Sequence, residues 1–148
     1  MCGVVALKTA DFGDNMNKWN YVKNNVTDVD VKEVENLSGF TFSDELKEII
    51  ESCNNGRPVK KLFDTERVKG RVLDKLLSIS RADSENVFKV NEALKGQLPE
   101  SFFALAADPF GNYICIDEAH KAFLWLHETS VLESTGKTIR ELIDSLYS

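Results

Sequence analysis

The most informative stretch of this chain is Asp108-Pro109-Phe110-Gly111-Asn112-Tyr113-Ile114-Cys115-Ile116-Asp117. Its first four residues have Pro at the second position and Gly at the last, which is typical of a tight β-turn. Residues 101–107 precede the turn, residues 112–117 follow it, and residues 121–127 come next. These three runs are short, rich in apolar residues and bounded by turn residues, so the sequence predicts three antiparallel strands joined by hairpins.

The clearest predicted helix lies well before these strands. Apolar residues recur at i, i+3, i+4 and i+7 from Leu46 to Cys53, which is the spacing of one helical face. Ser43 is placed to cap the N-terminus of this helix, and Asn54-Asn55-Gly56 is placed to end it.

Helical patterns also occur on both sides of the predicted strands. They cover residues 15–25 with Trp19 inward, residues 31–37 ending at Gly39, a segment from Asp83 or Ser84 to Leu94, and Ile139 to Leu146, where Thr138 and Glu141 have capping-box spacing. The periodicity of residues 72–79 fits a helix as well as a strand. Helices before and after a block of strands predict an α+β fold, in which a central antiparallel sheet is flanked by N-terminal helices and a C-terminal helix.

Length and composition indicate one domain with an ordinary core. The 148 residues are 43% hydrophobic and 28% charged, and no repeat or Pro/Gly/Ser-rich linker divides them. We therefore expect a single domain over residues 1–148, with residues 1–15 as a variable N-terminal segment. No apolar run approaches the roughly 20 residues that span a bilayer, so we expect a cytoplasmic protein with no membrane partner.

Charge is unevenly distributed along the chain, whose net charge is −6. Residues 28–51 carry eight acids against two lysines, residues 96–148 carry eight acids against three bases, and residues 52–95 carry ten bases against six acids. Phosphate binding draws on clustered Lys and Arg, so the acidic total argues against nucleic acid as a direct ligand, although the basic segment over residues 52–95 keeps that alternative open. The two acidic segments are compatible with a cationic protein partner.

Two patterns resemble known sites but lack part of what the chemistry needs. Glu133 to Thr138 looks like the end of a phosphate-binding loop, but Val131 stands where that loop needs its first glycine, so we interpret the segment as a helix-start turn. Cys115, His120 and His127 offer zinc neither a fourth ligand nor paired spacing. We therefore expect no metal and no cofactor.

The acids and cysteines near the predicted strands do not form a catalytic site. Asp108, Asp117, Glu118 and Glu128 fall on the rim of the strand block, but neither a nucleophile nor a glycine-lined oxyanion site accompanies them. Cys115 is flanked by apolar residues, where burial makes a thiol inert. We expect no catalytic residues, and we interpret Trp125 as a core residue that could alternatively anchor an interface.

The chain resembles the SUKH superfamily, and within it the Smi/Knr-like domain. The resemblance rests on Asn54-Asn55-Gly56, on the stretch from Ala106 to Asp117, on Trp125-Leu126-His127-Glu128 and on the closing helix from Ile139 to Leu146. The order of these elements agrees with the family from about residue 30 onward. Leu126 departs from the pattern, because it stands where the family usually has an acid.

The resemblance implies a function through protein contacts. Many bacterial members of the family are immunity proteins for polymorphic toxins, often nucleases, whereas fungal relatives are interaction hubs in cell-wall signalling. The leading hypothesis is therefore an immunity protein, or antitoxin, that binds a cognate toxin and is not an enzyme. A regulatory or scaffold module of the same fold is one alternative, and a small hydrolase that uses the rim carboxylates is another.

The candidate partner-binding residues are acids in two patches together with three residues near them. The first patch is Asp28, Asp30, Glu33 and Glu35, the second is Asp117, Glu118 and Glu128, and the nearby residues are Asp108, Phe110 and Trp125. The sequence does not indicate which of the two patches contacts the partner.

Overall fold

The computed structural model describes residues 17–148, and its elements alternate between short helices and strands along the chain. In order they are β1 (Trp19–Asn20), α1 (Asp28–Ser38), α2 (Asp44–Cys53), β2 (Arg57–Pro58), β3 (Leu62–Phe63), β4 (Arg71–Val72), β5 (Lys75–Leu76), α3 (Val87–Ala93), β6 (Phe103–Ala107), β7 (Tyr113–Ile116), β8 (Lys121–Trp125), β9 (Leu132–Thr138) and α4 (Ile139–Asp144).

The main sheet has five antiparallel strands in the order β5-β6-β7-β8-β9, so each strand lies beside its neighbour in the sequence. Its centre consists of the three strands that the sequence predicts over residues 101–127. Two small antiparallel pairs, β1 with β2 and β3 with β4, lie outside this sheet. Helices precede and follow the main sheet, which confirms the predicted α+β class.

Both faces of the main sheet are covered. Ile114 and Cys115 are consecutive in β7 and therefore point to opposite faces. Ile114 belongs to the larger core cluster, which includes Leu46 of α2 and Leu142 of α4. Cys115 belongs to a smaller cluster with Trp125 and with residues that follow α3. The central strands of the sheet thus form a buried layer between the two clusters.

Side-chain caps define the predicted helices α1, α2 and α4. Ser43 accepts a hydrogen bond from the backbone N–H of Leu46, as predicted. Thr138 and Glu141 form the predicted capping box at the start of α4. A second capping box begins α1, and Gly39 ends that helix with φ of 77°, a conformation that glycine adopts without steric cost.

The predicted helix over residues 15–25 is wrong for the residues that the structure describes, and residues 15 and 16 lie outside them. Trp19–Asn20 instead forms β1, and the backbone N–H of Lys23 donates to the carbonyl of Asn54. The segment is rich in Asn, which competes for backbone hydrogen bonds and disfavours helix interiors. The inward position of Trp19 is confirmed, because its side chain is buried.

The predicted start of α3 is also corrected. Asn86, and neither Asp83 nor Ser84, caps this helix by accepting a hydrogen bond from the backbone N–H of Lys89. Asp83 is buried and accepts a hydrogen bond from Ser78. Asp83 therefore bonds to Ser78 and to the distant Lys23 and does not cap the helix.

Residues 132–138 form a strand where the sequence predicts a helix-start turn. This strand, β9, pairs with β8, and the register shifts between Lys121 and Phe123. Gly136 has φ of 72° and lies opposite this irregularity, as expected of a glycine in a β-bulge. Only Thr138 begins a helix. The ambiguous residues 72–79 contain β5 and are extended rather than helical.

Candidate partner-binding surface

The turn between β6 and β7 is held in one shape by the carboxylate of Asp108. Its Oδ1 accepts hydrogen bonds from the backbone N–H groups of Phe110 and Asn112, both at 2.8 Å. Its Oδ2 accepts a hydrogen bond from Nδ2 of Asn112, also at 2.8 Å. Asp108 is buried beneath the turn, so this predicted interface residue supports the surface rather than forming it.

Asn112 connects this turn to the turn between β8 and β9. Because its Nδ2 donates to Asp108, its Oδ1 is free to accept, and it accepts from the backbone N–H of His127 at 3.0 Å and from Nδ1 of the same residue at 2.8 Å. A carbonyl oxygen only accepts, so this hydrogen bond requires a proton on Nδ1 of His127.

The imidazole of His127 lies against Gly111. A Cβ added at Gly111 would be 3.4 Å from ring atoms of His127, and Gly111 has φ of +90°, which glycine tolerates best. Two turns that are 15 residues apart in the sequence are therefore locked together by one amide and one ring.

These contacts leave Phe110 at the tip of a rigid turn, with 70% of its surface exposed. Trp125 at the end of β8 pairs with Tyr113 at the start of β7, so the residues after Trp125 lie at the same end of the sheet as the turn. Among them Val131 is also exposed, and the side chain of Glu128 is 83% exposed. We call Phe110, His127, Glu128 and Val131 the turn surface.

The turn surface is bordered by a second set of polar contacts. Lys75 pairs with Ala107, just before the turn, and its Nζ donates to Glu85 at 3.0 Å and to Asn55 at 2.9 Å. Asn55 in turn donates to the carbonyl of Tyr21, whose side chain is exposed. The positive charge of Lys75 is thus balanced by Glu85, so these residues add no net positive charge next to the turn surface.

Burial raises the pKa of Tyr113, and the carboxylates of Glu85 and Asp108 raise it further. The phenol therefore stays protonated and neutral at physiological pH. Because both carboxylates act on this one phenol, Glu85 and Asp108 lie on the same part of the molecule.

The second predicted acidic patch is divided between two ends of the sheet. Asp117 and Glu118 lie in the turn before β8, whereas Glu128 lies in the turn after it. The length of β8 separates them, roughly 17 Å at about 3.3 Å per residue. Asp117 also accepts hydrogen bonds from the backbone N–H groups of Ala119 and Lys121, so it stabilises its own turn, and Glu128 belongs with Phe110.

The first predicted acidic patch lies on α1, but its four acids do not share one face. Asp28 and Glu35 are seven residues apart and lie on one side of the helix, whereas Asp30 and Glu33 lie on the other. No single partner surface that contacts α1 from one side would meet all four.

Three of these acids also have contacts within the chain. Asp30 accepts from the backbone N–H of the cap residue at the start of α1. Glu33 is paired with Arg81 at 3.2 Å. Glu35 accepts from the backbone N–H of Phe42 at 2.7 Å. Their carboxylates therefore serve the fold, which lowers their value as partner contacts.

Trp125 is a core residue, as the sequence analysis favoured. Its side chain is 1% exposed and packs with Leu94, Leu98, Ala104 and Cys115. Its indole nitrogen has no hydrogen-bond partner among the described residues. Because the ring does not reach the surface, we exclude Trp125 from the candidate interface.

The Cys and His residues that were considered for zinc are dispersed. Cys115 is inside the sheet, and burial raises the pKa of its thiol. His120 lies in the turn before β8 with Nε2 3.2 Å from the carbonyl oxygen of Thr41, while His127 lies beyond the other end of that strand. Residues 17–148 contain no group of three or more His, Cys, Asp or Glu positioned to hold a metal ion.

The Asn54-Asn55-Gly56 segment has a structural role that sequence reasoning missed. Asn54 is buried, its Oδ1 accepts from the backbone N–H of Ile79, and its Nδ2 donates to Ser78 and Asn25. Sequence reasoning also missed Asn112 and His127. The spacing of Asp108 and Asn112 around Pro and Gly was the available signal, since Asp and Asn favour side-chain bonds within turns.

Comparisons with known proteins identify the family of this chain and a structure of the same fold. No curated protein matches the sequence. A solved structure of a protein from Pseudomonas syringae pv. tomato superposes with a TM-score of 0.58 at 11% identity, covering 98% of this chain and 97% of that chain, which shows a shared fold. The family model described as SMI1 / KNR4 family (SUKH-1) matches residues 25–145. Those residues contain α1 through α4 and the whole main sheet, and the chain therefore belongs to the SMI1 / KNR4 family (SUKH-1).

Proposed function

We propose that this chain is an immunity protein that binds a cognate toxin in the cytoplasm and neutralises it stoichiometrically. The observation that carries the proposal is the family match over residues 25–145, because many bacterial members of this family are immunity proteins. The turn surface supports it, because a preformed surface with an exposed aromatic residue suits protein binding better than catalysis.

The charge of the chain supports a nuclease as the target. A nuclease is cationic around its phosphate-binding cleft, and a partner of net charge −6 would be attracted to it before contact. Such attraction can raise association rates by roughly 10- to 1,000-fold and weakens as salt increases. Protection also needs slow release, and known nuclease–immunity pairs reach Kd values of about 10⁻¹³ to 10⁻¹⁶ M.

The test is rescue of cells from toxins encoded next to the gene for this chain. Each candidate toxin is expressed from an inducible promoter with and without the chain, and survival is counted. We expect the chain to protect cells against one of these toxins and not the others. The chain and that toxin should form a 1:1 complex in size-exclusion chromatography. A chain that protects against none of the neighbouring toxins and forms no complex with them contradicts the proposal.

The same experiment addresses the nuclease assignment separately. DNA or RNA from poisoned cells should be degraded, and the chain should prevent that degradation. Protection against a toxin that leaves nucleic acids intact would keep the immunity function and remove the nuclease as its target.

A further inference from the structure

We propose that Phe110 is the anchor of the toxin complex, and that it enters an apolar pocket on the toxin whose rim carries Lys or Arg next to Glu128. This inference rests on the proposed function and names the chemistry of its partner site. It is carried by three features of the turn surface: the exposure of an aromatic ring, the rigidity of the turn that bears it, and the charge beside it.

The exposure of Phe110 is not required by the fold. Its side chain is 70% exposed, while Phe103 and Phe63 fill the core of the same molecule. A phenyl ring that a partner covers removes on the order of 150–250 Å² of surface from water. Aromatic residues, Phe included, are enriched at protein interfaces, where a few buried anchors carry most of the binding energy.

The turn that carries Phe110 is ordered before binding. The backbone N–H of Phe110 donates to Asp108, and Asn112 links Asp108 to His127 through further hydrogen bonds. Ordering a loop during association costs affinity, so a turn whose backbone is already held by side chains avoids that cost. Asp108, Asn112 and His127 are in this view positioning residues for the anchor.

The charge beside the anchor is negative. Glu128 has His127 as its neighbour, with Nε2 4.0 Å from Oε1, and within residues 17–148 no Lys or Arg forms an ion pair with it. Asp108 adds a second carboxylate beneath the turn. Lys or Arg at the rim of the partner pocket that receives Phe110 would therefore complement this negative charge. Such a rim is expected of a cationic toxin.

A groove at the opposite end of the main sheet is the strongest competing surface. It has a volume of about 480 Å³ and is lined by apolar residues, among them Leu37, Phe88 and Phe103, together with polar ones such as Arg81, Asn91 and Glu92. Phe103 begins β6 whereas the turn surface follows the end of β6, so the two surfaces are separable. Nothing in the structure indicates what would cover the groove, and Leu37 serves as a control position.

The experiment measures association and dissociation rates for the toxin that the wild-type chain neutralises, in a form inactivated by mutation of its active site. The variants are Phe110→Ala, Glu128→Lys and Leu37→Ala, each with its thermal unfolding midpoint recorded. All three side chains are substantially exposed, so each variant is expected to fold.

We expect Phe110→Ala to raise Kd at least about 30-fold, mainly through faster dissociation. Glu128→Lys is expected to lower the association rate several-fold and to weaken its salt dependence. Leu37→Ala is expected to change Kd less than about twofold. In cells, Phe110→Ala should lose protection at toxin doses that wild type survives.

Other outcomes separate the two proposals. Phe110→Ala with wild-type Kd and full protection overturns the anchor and leaves the immunity function in place. A large loss from Leu37→Ala alone moves the interface to the groove and also overturns the anchor. A wild-type chain that binds and neutralises no toxin removes the proposed function, and this inference with it.

Discussion

Arg71 and Glu133 form a bidentate ion pair that fastens the β3–β4 hairpin to the edge strand β9. Nη2 of Arg71 lies 2.8 Å from Oε2 and 3.0 Å from Oε1 of Glu133, which is only 3% exposed. Thr65 donates a further hydrogen bond to the same carboxylate at 2.7 Å. The backbone N–H of Glu66 donates to the carbonyl of Ser134, so the hairpin loop covers an edge that would otherwise be open to aggregation.

We predict that Glu133→Ala lowers the free energy of unfolding by about 3 kcal/mol, because it leaves the guanidinium of Arg71 without its buried partner. The measurement is urea denaturation. Arg71→Ala should lower the free energy of unfolding less in the Glu133→Ala background than in the wild-type protein. As a control, Glu92→Ala removes an exposed pair with Lys95 and should cost less than about 0.5 kcal/mol. Strictly additive effects of the two main substitutions would contradict the prediction.

The Asp108 turn should be sensitive to loss of its carboxylate. Asp108→Ala leaves the backbone N–H groups of Phe110 and Asn112 without acceptors, and we expect a loss of about 2–3 kcal/mol. Hydrogen exchange at those two amides should accelerate more than exchange in β7. The matched control is Glu118→Ala, in the exposed turn at the other end of β8, which should be within about 0.5 kcal/mol of wild type. Equal effects of the two substitutions would refute a special role for Asp108.

Gly56 is predicted to be irreplaceable for steric reasons. A Cβ at this position would lie 2.8 Å from the carbonyl oxygen of Cys53 and 3.2 Å from the ring of Trp19, so Gly56→Ala should cost about 3 kcal/mol. Gly70→Ala is the comparison, because Gly70 has open space around it and φ of +81°. Its cost should be about 1 kcal/mol from backbone strain alone. Thermal denaturation of both variants ranks them, and the reverse order would contradict the clash.

The Asp83 network predicts an acid-sensitive contribution to stability. Burial opposes ionisation of Asp83, but hydrogen bonds from Lys23, Ser78 and Asn25 and the charge of Lys23 together lower its pKa below the ordinary value. A lowered pKa in the folded state stabilises the protein above the unfolded pKa of about 3.9. That contribution is lost as pH falls through the lower folded value.

The measurement compares wild type with Asp83→Asn in urea denaturation between pH 2 and pH 7. The wild-type advantage should be constant above about pH 5 and should shrink below about pH 4. An advantage that does not change with pH over this range would show that the ionised carboxylate contributes nothing specific.

The two buried thiols should be unreactive in the native protein. Burial raises the pKa of Cys115, and Cys53 is also buried, while the thiolate is the reactive form. A Cys2→Ser variant removes the third thiol from the assay. We expect no reaction with a colorimetric thiol reagent at pH 8 until denaturant is added, when both thiols should react. Rapid labelling of the folded variant would place one of them at the surface.

Much of the architecture was predictable because its signals are local. The apolar spacing from Leu46 to Cys53, the Ser43 cap and the Thr138–Glu141 capping box each involve residues within one or two helical turns of each other. The turn at Asp108 is equally local. The sequence therefore predicted the position of these elements and the order of the central strands.

The errors arose where a distant contact outweighed the local pattern. Trp19 pairs with Pro58 in β1–β2 instead of forming a helix. Asp83 contributes to a buried network rather than capping α3. Gly136 allows β9 to bulge and continue along β8. In each case the competing partner is remote in the sequence, so short-range periodicity could not reveal it.

The candidate surface shows the same division. From the sequence alone came the turn at Asp108, the candidate role of Phe110 and Glu128 as partner contacts, and the resemblance to a family whose members act through protein contacts. Only the tertiary structure placed Glu128 at the same end of the sheet as Phe110 and away from Asp117, buried Trp125, and assigned Asn112 and His127 to hold the two turns together. Neighbouring residues in the sequence give the chemical type and the local spacing of side chains. Which distant side chains lie on the same face depends on strand pairing, and the packing of the whole sheet determines that pairing.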